Sequence, residues 1–372
     1  MVTERYLRHS MIDWLDQEKL KQSYIIVIGA GAVGNEVLKN LCLLGVGKIH
    51  IIDFDRIEEH NLTRTILFSV KDLGLYKAEV ASRECQKIDS SCIATFSNGD
   101  FWDVLSLQEI KKAAAVVCCV DNYEARLKLN QLCLLAGVDF YNTGIDSRYV
   151  CVESFPYSKE PDCACYECAL PSSVYEAVKK RYSCGWLKKV ALEEKKIPTT
   201  AITSSIAGAT AVGIILQRLC NHSQSLKGSK RFCCDTITLN STISDIRRND
   251  SCPGCYNTLH DYKYYRSSGN EIPSKLESLP FVEDFEITFS EDIVFYLECK
   301  RCGQRTPLFE SAHKLNDAIT YCSKCNMQSN IVYIKDRLVF SEFHEIFGKR
   351  KYPGKFIKFS LKGVNLLIER EV

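Results

Sequence analysis

The sequence predicts an α/β protein built on a Rossmann-like, doubly wound parallel sheet, followed by a small cysteine-ribbon β domain. Three observations carry this. Tyr24–Ile28 is a short apolar, β-branched run that stops at Gly29-Ala30-Gly31-Ala32-Val33-Gly34 and passes into an amphipathic stretch, residues 35–44, which reads as strand, glycine-rich turn and helix. Apolar runs at Lys48–Ile52, residues 113–120 and residues 137–142 then alternate with helical patterns, as parallel strands joined by crossovers do. Finally, eight of the 20 cysteines fall in four C-x-x-C pairs, two of them close together in the last quarter of the chain.

Residues 5–21 read as a helical lead-in with a polar break. The second apolar run ends in Asp53-Phe54-Asp55, a carboxylate nineteen residues after Gly34. Glycines let the backbone approach a phosphate, the helix N-terminus offers it N–H groups, and an acid at the end of the second strand can hold ribose hydroxyls. Asn61-Leu62-Thr63-Arg64 follows, and Lys77 lies near the start of a helix expected over residues 73–87. The run 113–120 is apolar throughout, as in a strand covered on both faces, and ends in Asp121-Asn122, at the strand edge where open α/β sheets bind ligands. The same pair can cap a helix over residues 124–133. Residues 137–142 form the next strand, and 148–155 turn back antiparallel.

A lone G-x-G-x-x-G is shared with nicotinamide enzymes, which need no cations such as Arg64 and Lys77 beside the phosphates. An enzyme that displaces pyrophosphate from ATP does: Arg64 and Lys77 can neutralise phosphate charge while Asp121 holds Mg²⁺. The expected nucleotide set is Gly29, Gly31, Ala32, Gly34, Asp53, Asp55, Asn61, Arg64, Lys77, Asp121 and Asn122.

Cys165-x-x-Cys168 and Cys252-x-x-Cys255 supply the two halves of a closed, tetrahedral, structural zinc site. Cys163 is an alternative to Cys165, but Cys165 keeps the two-residue gap. Between these halves, residues 172–196 are polar and basic, with Cys184 among them; a crossover loop or a lid over the nucleotide is expected there, and Cys184 reads as one ordinary loop cysteine among twenty, with a thiol nucleophile as the sharper alternative. Ala201–Leu219 is a small-residue helix, and residues 232–240 and 242–246 close the main domain. Residues 256–284 read as a polar connector, which places the domains at 1–257 and 258–372. In the second, Cys299-x-x-Cys302 and Cys322-x-x-Cys325 are nineteen residues apart, the spacing of a zinc ribbon. Residues 293–297 and 330–334 alternate like its strands, and 356–359 with 364–368 read as a terminal hairpin. Lys349, Arg350, Lys351 and Lys355 make a basic turn, either plainly solvated or a docking surface for an acidic peptide.

Composition is that of a globular protein, 46% hydrophobic and 25% charged with net charge +2, and nothing global points to nucleic acid. No uninterrupted apolar run reaches membrane-spanning length, and the N-terminal MVTERYLRHS lacks the apolar core of a signal peptide, so a cytoplasmic location is expected. The remaining cysteines read as small buried core residues.

Taken together, Arg5-Tyr6-x-Arg8, GAGAVG, IIDFD, NLTR, the Lys77 segment, Asp121-Asn122 and the first two cysteine pairs resemble the ThiF/MoeB/HesA superfamily of ubiquitin-activating-enzyme-like adenylating enzymes, over residues 5–256. The resemblance implies ribose contact at Asp53, phosphate contacts at Arg64 and Lys77, Mg²⁺ at Asp121, and a homodimer in which Arg8 reaches the neighbour's phosphates. It implies ATP-dependent adenylation of a carboxylate. Two substrates compete: a ribosomally made precursor peptide, as in members that mature pantocin- and microcin-type antibiotics, and the C-terminal glycine of a ubiquitin-like or sulfur-carrier protein. The extra ribbon domain favours the peptide, since a leader sequence needs somewhere to bind. A nicotinamide oxidoreductase leaves Arg64, Lys77 and the zinc knuckles unexplained, and a non-catalytic nucleotide-binding scaffold has no need of the whole set of charged residues.

Overall fold

The computed structural model describes residues 4–175, 198–256, 262–268, 271–272, 276, 285–315, 321–327, 330–361 and 364–371; Cys184 and most of the expected lid lie outside them. The chain divides into two compact units, Met1–Leu170 with Ile197–Thr258, and Pro171–Lys196 with Leu259–Val372.

The first unit is organised by a sheet of β1 (Tyr24–Ile28), β2 (Lys48–Ile52), β3 (Ile93–Ser97), β4 (Ala115–Cys118), β5 (Asp139–Ile145), β6 (Tyr149–Phe155), β7 (Lys230–Asp235) and β8 (Ser241–Asp245). Its order is β3-β2-β1-β4-β5-β6-β7-β8. β1 to β5 run parallel, and β6, β7 and β8 are added antiparallel. The chain lays β2 and β3 on one side of β1 and then crosses to place β4 on the other. That reversal opens a crevice at the C-terminal ends of β1 and β4. The ends are level, because Ile28 is in register with both Ile52 and Cys118.

Tertiary detail adjusts the expected boundaries. The first crossover helix, Ala32–Leu44, begins inside the glycine motif because Gly31 is its N-cap. The helix expected over 73–87 starts at Lys77 and runs to Ile88, since a capping-box turn (Ser69 and Asp72) and Gly74, at φ 81°, occupy the residues before it. The lead-in is not one helix but two 3₁₀ turns, Glu4–Tyr6 and His9–Met11, and a short helix, Gln17–Gln22, capped by Asp16. β4 is shorter than residues 113–120, running from Ala115 to Cys118. β3 was not expected; it is an edge strand with only Ala94 of its five residues buried, so its apolar signal is weak.

Ala201–Leu219 is as long and apolar as a membrane span, with a mean hydropathy of 1.3 over its window. It packs instead on β5, β6 and the Ala32–Leu44 helix. A Cβ at Gly208 would lie 2.5 Å from the Cβ of Glu36, so glycine permits the close approach of the two helices. Ala207, Ala211 and Ile215 join Val33, Val37 and Leu41 in the core.

The second unit holds β9 (Tyr262–Ser268), β10 (Glu286–Cys299), β11 (Arg305–Ser311), β12 (Asn330–Val339), β13 (Phe356–Leu361) and β14 (Val364–Glu371). The order is β11-β10-β13-β14-β9, with β12 also paired to β10. The ribbon strands and the terminal hairpin are where the alternation placed them. Two expectations are corrected. The stretch 256–284 is not simply a connector: it contains β9, which runs parallel to β14 from Tyr262 opposite Asn365. Its Tyr, Lys and Ser residues conceal an edge strand. Lys355 belongs to no basic surface, for it is 2% exposed and its Nζ lies 3.6 Å from Glu369. A helix that was not expected, Phe340–Phe347, places Phe343 and Phe347 among Phe289, Phe295 and Tyr352.

Candidate nucleotide crevice and metal centres

The glycine loop follows β1, and its three glycines answer different needs. At Gly29, φ is 91° and a Cβ would lie 2.8 Å from the Cys119 carbonyl oxygen, on the neighbouring strand end. At Gly34 it would lie 2.0 Å from the Gly29 carbonyl oxygen, inside van der Waals contact. Both are therefore required by packing. Around Gly31 the space is open, and no side chain caps the helix that starts there. Its first-turn N–H groups are thus left for an anion. Asn35, missed in the sequence, secures the loop: its Nδ2 donates to the carbonyls of Ala30 (2.8 Å) and Gly31 (3.0 Å), and its Oδ1 accepts from Leu67 N–H (2.9 Å).

Asp53 stands at the end of β2, beside the loop. Its carboxylate accepts from Ala30 N–H and Asp55 N–H, both at 2.7 Å. Burial pushes its carboxyl above the usual aspartate range, against the pull of the nearby Lys77 ammonium. Lys77 is 9% exposed; its Nζ donates to Asp55 Oδ2 at 2.7 Å, and its backbone N–H to the Asp55 carbonyl at 2.9 Å. Asp53, Asp55 and Lys77 therefore meet at one edge of the sheet.

Arg64 lies on the segment after β2 and donates to the His60 carbonyl at 2.6 Å. Asn61 is 6% exposed, and its Oδ1 accepts from Glu58 N–H at 2.9 Å. Its backbone carbonyl accepts from Arg64 N–H at 3.0 Å, so Asn61 shapes the turn that presents Arg64.

Asp121 is exposed just past β4. An exposed carboxylate at a strand end suits Mg²⁺, which takes one or two carboxylates together with phosphate oxygens and water. Asn122 caps the Tyr123–Ala136 helix, its Oδ1 accepting from Ala125 N–H at 2.9 Å. Arg126, one turn on, was not singled out in the sequence. Its Nη2 donates to the Val120 carbonyl at 2.6 Å and its Nη1 to Asn142 Oδ1 at 2.8 Å. Asn142 Nδ2 donates to Glu153 at 2.8 Å, and Glu153, 3% exposed, is held by Arg231 at 2.7 Å. This relay crosses β5, β6 and β7 and fixes the peptide group immediately before Asp121. Its members are far apart in sequence, and strand register alone brings Asn142, Glu153 and Arg231 into line.

Arg8 is not at this crevice through any described contact. It is exposed, at the start of the second 3₁₀ turn. Its neighbours are tied elsewhere: Arg5 donates to the Ile88 carbonyl at 2.6 Å and Tyr6 to Asp89 at 2.5 Å, at the end of the Lys77–Ile88 helix.

The cysteines gather as two four-sulfur groups, Cys165, Cys168, Cys252 and Cys255, and Cys299, Cys302, Cys322 and Cys325. Zn–S bonds of about 2.3 Å in a tetrahedron place sulfurs about 3.8 Å apart. Cys165–Cys252 and Cys168–Cys255 are at 3.6 Å and Cys165–Cys168 at 3.8 Å. In the second group Cys299–Cys325 and Cys302–Cys322 are both at 3.6 Å. Both sets fit a closed structural zinc, and Cys163 falls outside the first. Gly254 completes that knuckle, since a Cβ there would lie 2.5 Å from Glu167 Oε1 and 3.2 Å from Cys165 Sγ.

Known proteins resemble this chain over part of its length. Ubiquitin-like modifier-activating enzyme 5 of Drosophila grimshawi is 28% identical over 214 residues, 54% of this chain and 52% of that protein. A probable molybdopterin-synthase adenylyltransferase of Porphyra purpurea is 34% identical over 133 residues, 35% of each chain. The chain thus spans about half the length of the first relative and about a third of the second. Among solved structures, E. coli MccB with AMPCPP and MccA matches with a TM-score of 0.52 and 25% identity, over 64% of this chain and 68% of that one. The ThiF family model matches residues 4–254, which take in the glycine loop, Asp53, Arg64, Lys77, Asp121 and three of the first four zinc-site cysteines, Cys165, Cys168 and Cys252, and the chain belongs to the ThiF family.

Proposed function

We propose that the protein activates a carboxylate by ATP-dependent adenylation. A carboxylate oxygen attacks the α-phosphorus, the bond to the bridging oxygen breaks, pyrophosphate leaves and an acyl-adenylate remains for a nucleophile. The observation that carries this is the meeting of the open Gly31 helix start, Asp53 and the Lys77–Asp55 pair at level strand ends in a ThiF chain. In this reading the loop N–H groups and Lys77 and Arg64 bind the phosphates, Asp53 holds the ribose, and Asp121, set by the Arg126 relay, holds Mg²⁺. The metal supplies charge neutralisation for the departing phosphates. No residue need bond covalently to substrate in this step; positioning and charge carry it.

The substrate we infer is a peptide, of the kind represented by ribosomally made antibiotic precursors. The likeness to MccB solved with MccA supports it. The identity with ubiquitin-like modifier-activating enzyme 5 supports the alternative, the C-terminal glycine of a carrier protein. ATP–pyrophosphate exchange separates the readings. Exchange stimulated by a precursor peptide is expected; stimulation by a Gly-Gly-ended carrier alone would select the alternative, and no exchange with either would leave a nucleotide-binding scaffold.

We also propose a homodimer in which Arg8 acts on the neighbour's nucleotide. The contacts of Arg5 and Tyr6 support this. They hold the segment at Ile88 and Asp89, the end of a helix that runs back from the crevice edge. A five-residue strand separates the two edges of a sheet by about 16 Å. Two inactive parents, Arg8→Ala and Asp121→Ala, are therefore expected to complement when mixed. Each mixed dimer then holds one complete site, random exchange makes half the dimers mixed, and roughly a quarter of wild-type exchange activity returns. A mixture shown to have exchanged subunits and still inactive would exclude action in trans.

A further inference from the structure

One pair of thiols lies outside both metal centres and takes no part in the proposed reaction. In the β6–β7 register Cys151 stands directly opposite Cys233. Side chains alternate along strands, so both cysteines share the face that carries Glu153 and Arg231, two residues away on each strand. Their sulfurs are 3.9 Å apart, and both residues are only half-buried. Cys42, Cys85 and Cys92 also touch, but each is at most 3% exposed, so a solute cannot reach them. Among the described cysteines outside the four-sulfur groups, Cys151 and Cys233 combine sulfur contact with access.

We propose that Cys151 and Cys233 are a redox modification site that closes reversibly to a cross-strand disulfide, with a low-molecular-weight disulfide such as oxidised glutathione as the oxidant. One thiolate attacks a glutathione sulfur and displaces a glutathione thiolate, leaving a mixed disulfide. The second thiolate attacks the protein sulfur of that bond, and the other glutathione thiolate departs. Two protons pass from the cysteines to the departing thiolates, and the two electrons of the pair end on two reduced glutathiones.

Geometry makes this a switch rather than a staple. Directly opposed residues of antiparallel strands keep their Cβ atoms about 4.5–5.5 Å apart. A disulfide wants about 3.8 Å. Closing the bond draws β6 and β7 together, and the strain makes it readily reduced, as labile, regulatory disulfides are. Burial and the Glu153 carboxylate push the Cys151 thiol up, against the opposing pull of Arg231. Cys151 is therefore a thiol at neutral pH, and its oxidation quickens as pH rises. The bond forms two residues along from the Glu153–Arg231 pair that ends the Arg126 relay, where tightening of these strands is felt at the crevice.

The test uses the full-length, zinc-loaded protein, equilibrated with a series of ratios of oxidised to reduced glutathione, quenched with acid, alkylated, digested and read by mass spectrometry without reduction. The expected product is a peptide pair joined through Cys151 and Cys233. It should grow with the ratio, revert with dithiothreitol, and form while zinc content stays constant. Two of the 20 thiols are joined to each other in the oxidised wild type, whereas Cys151→Ser and Cys233→Ser form no such bond and carry at most a mixed glutathione disulfide on the remaining cysteine. Unchanged zinc content and thermal midpoint in each single variant, and in a Cys151→Ala, Cys233→Ala double variant, show that they remain folded. The proposal is overturned if both cysteines stay alkylatable at every ratio, if Cys151 ends bridged to another cysteine or only to glutathione, or if the bond appears only as zinc is lost.

Discussion

Asp121→Ala is expected to slow ATP–pyrophosphate exchange by at least about 10²-fold, because a metal that neutralises developing phosphate charge supplies several kcal/mol of transition-state stabilisation. The same substitution should leave the fold intact. Asp121 is exposed, and surface changes away from caps and buried partners stay within about 0.5 kcal/mol. Asn122, not Asp121, provides the Oδ1 that caps the following helix, so the alanine removes no cap. The measurement is exchange rate against Mg²⁺ concentration, with thermal unfolding in parallel. A lost rate with an unchanged thermal midpoint assigns the residue to the chemistry. An unchanged rate would remove Asp121 from the metal position and with it the proposed role of the Arg126 relay.

Cys252→Ser is expected to have the largest effect on stability. Cys252 is fully buried in the first four-sulfur group, and structural zinc binding is worth about 10–16 kcal/mol in small zinc domains, comparable with or above the about 5–15 kcal/mol that holds a whole domain together. Zinc content should fall from about two ions per chain to about one, and the first unit should lose its cooperative thermal transition. Cys299→Ser should also leave about one ion per chain, while the first unit keeps its transition, because each centre lies within its own compact unit. Wild-type protein carrying fewer than two ions would show that one cysteine set does not hold metal.

The two substitutions differ in how visible their targets are in the sequence. The cysteines of both centres could be named from spacing, since a C-x-x-C turn sets two thiolates within one metal's reach whatever surrounds it. Pairing the halves across more than eighty residues rested on ligand number, and the sulfur distances now join the same four. The glycine loop and Asp53 could likewise be named, because a strand, a tight turn and a helix are local structures written in contiguous residues. Asn35, Arg126 and Glu153 could not. Each is an ordinary polar residue in its own segment and acquires a role only when parallel and antiparallel registers set it beside a loop or strand end. β9 and Lys355 mislead for the same reason: a polar strand is recognised through its partner β14, and a lysine in a basic run is buried only when Glu369 is opposite it.

The sequence by itself thus determined the α/β class, the strand–glycine–helix unit and the membership of both cysteine sets, because periodicity and short spacing encode local geometry. Only the tertiary structure decided where helices begin, which glycines pack and which stays open, how Asp121 is held, and that Cys151 faces Cys233. These depend on contacts between segments tens of residues apart, and no local pattern of residues specifies such a contact until the sheet has set its register.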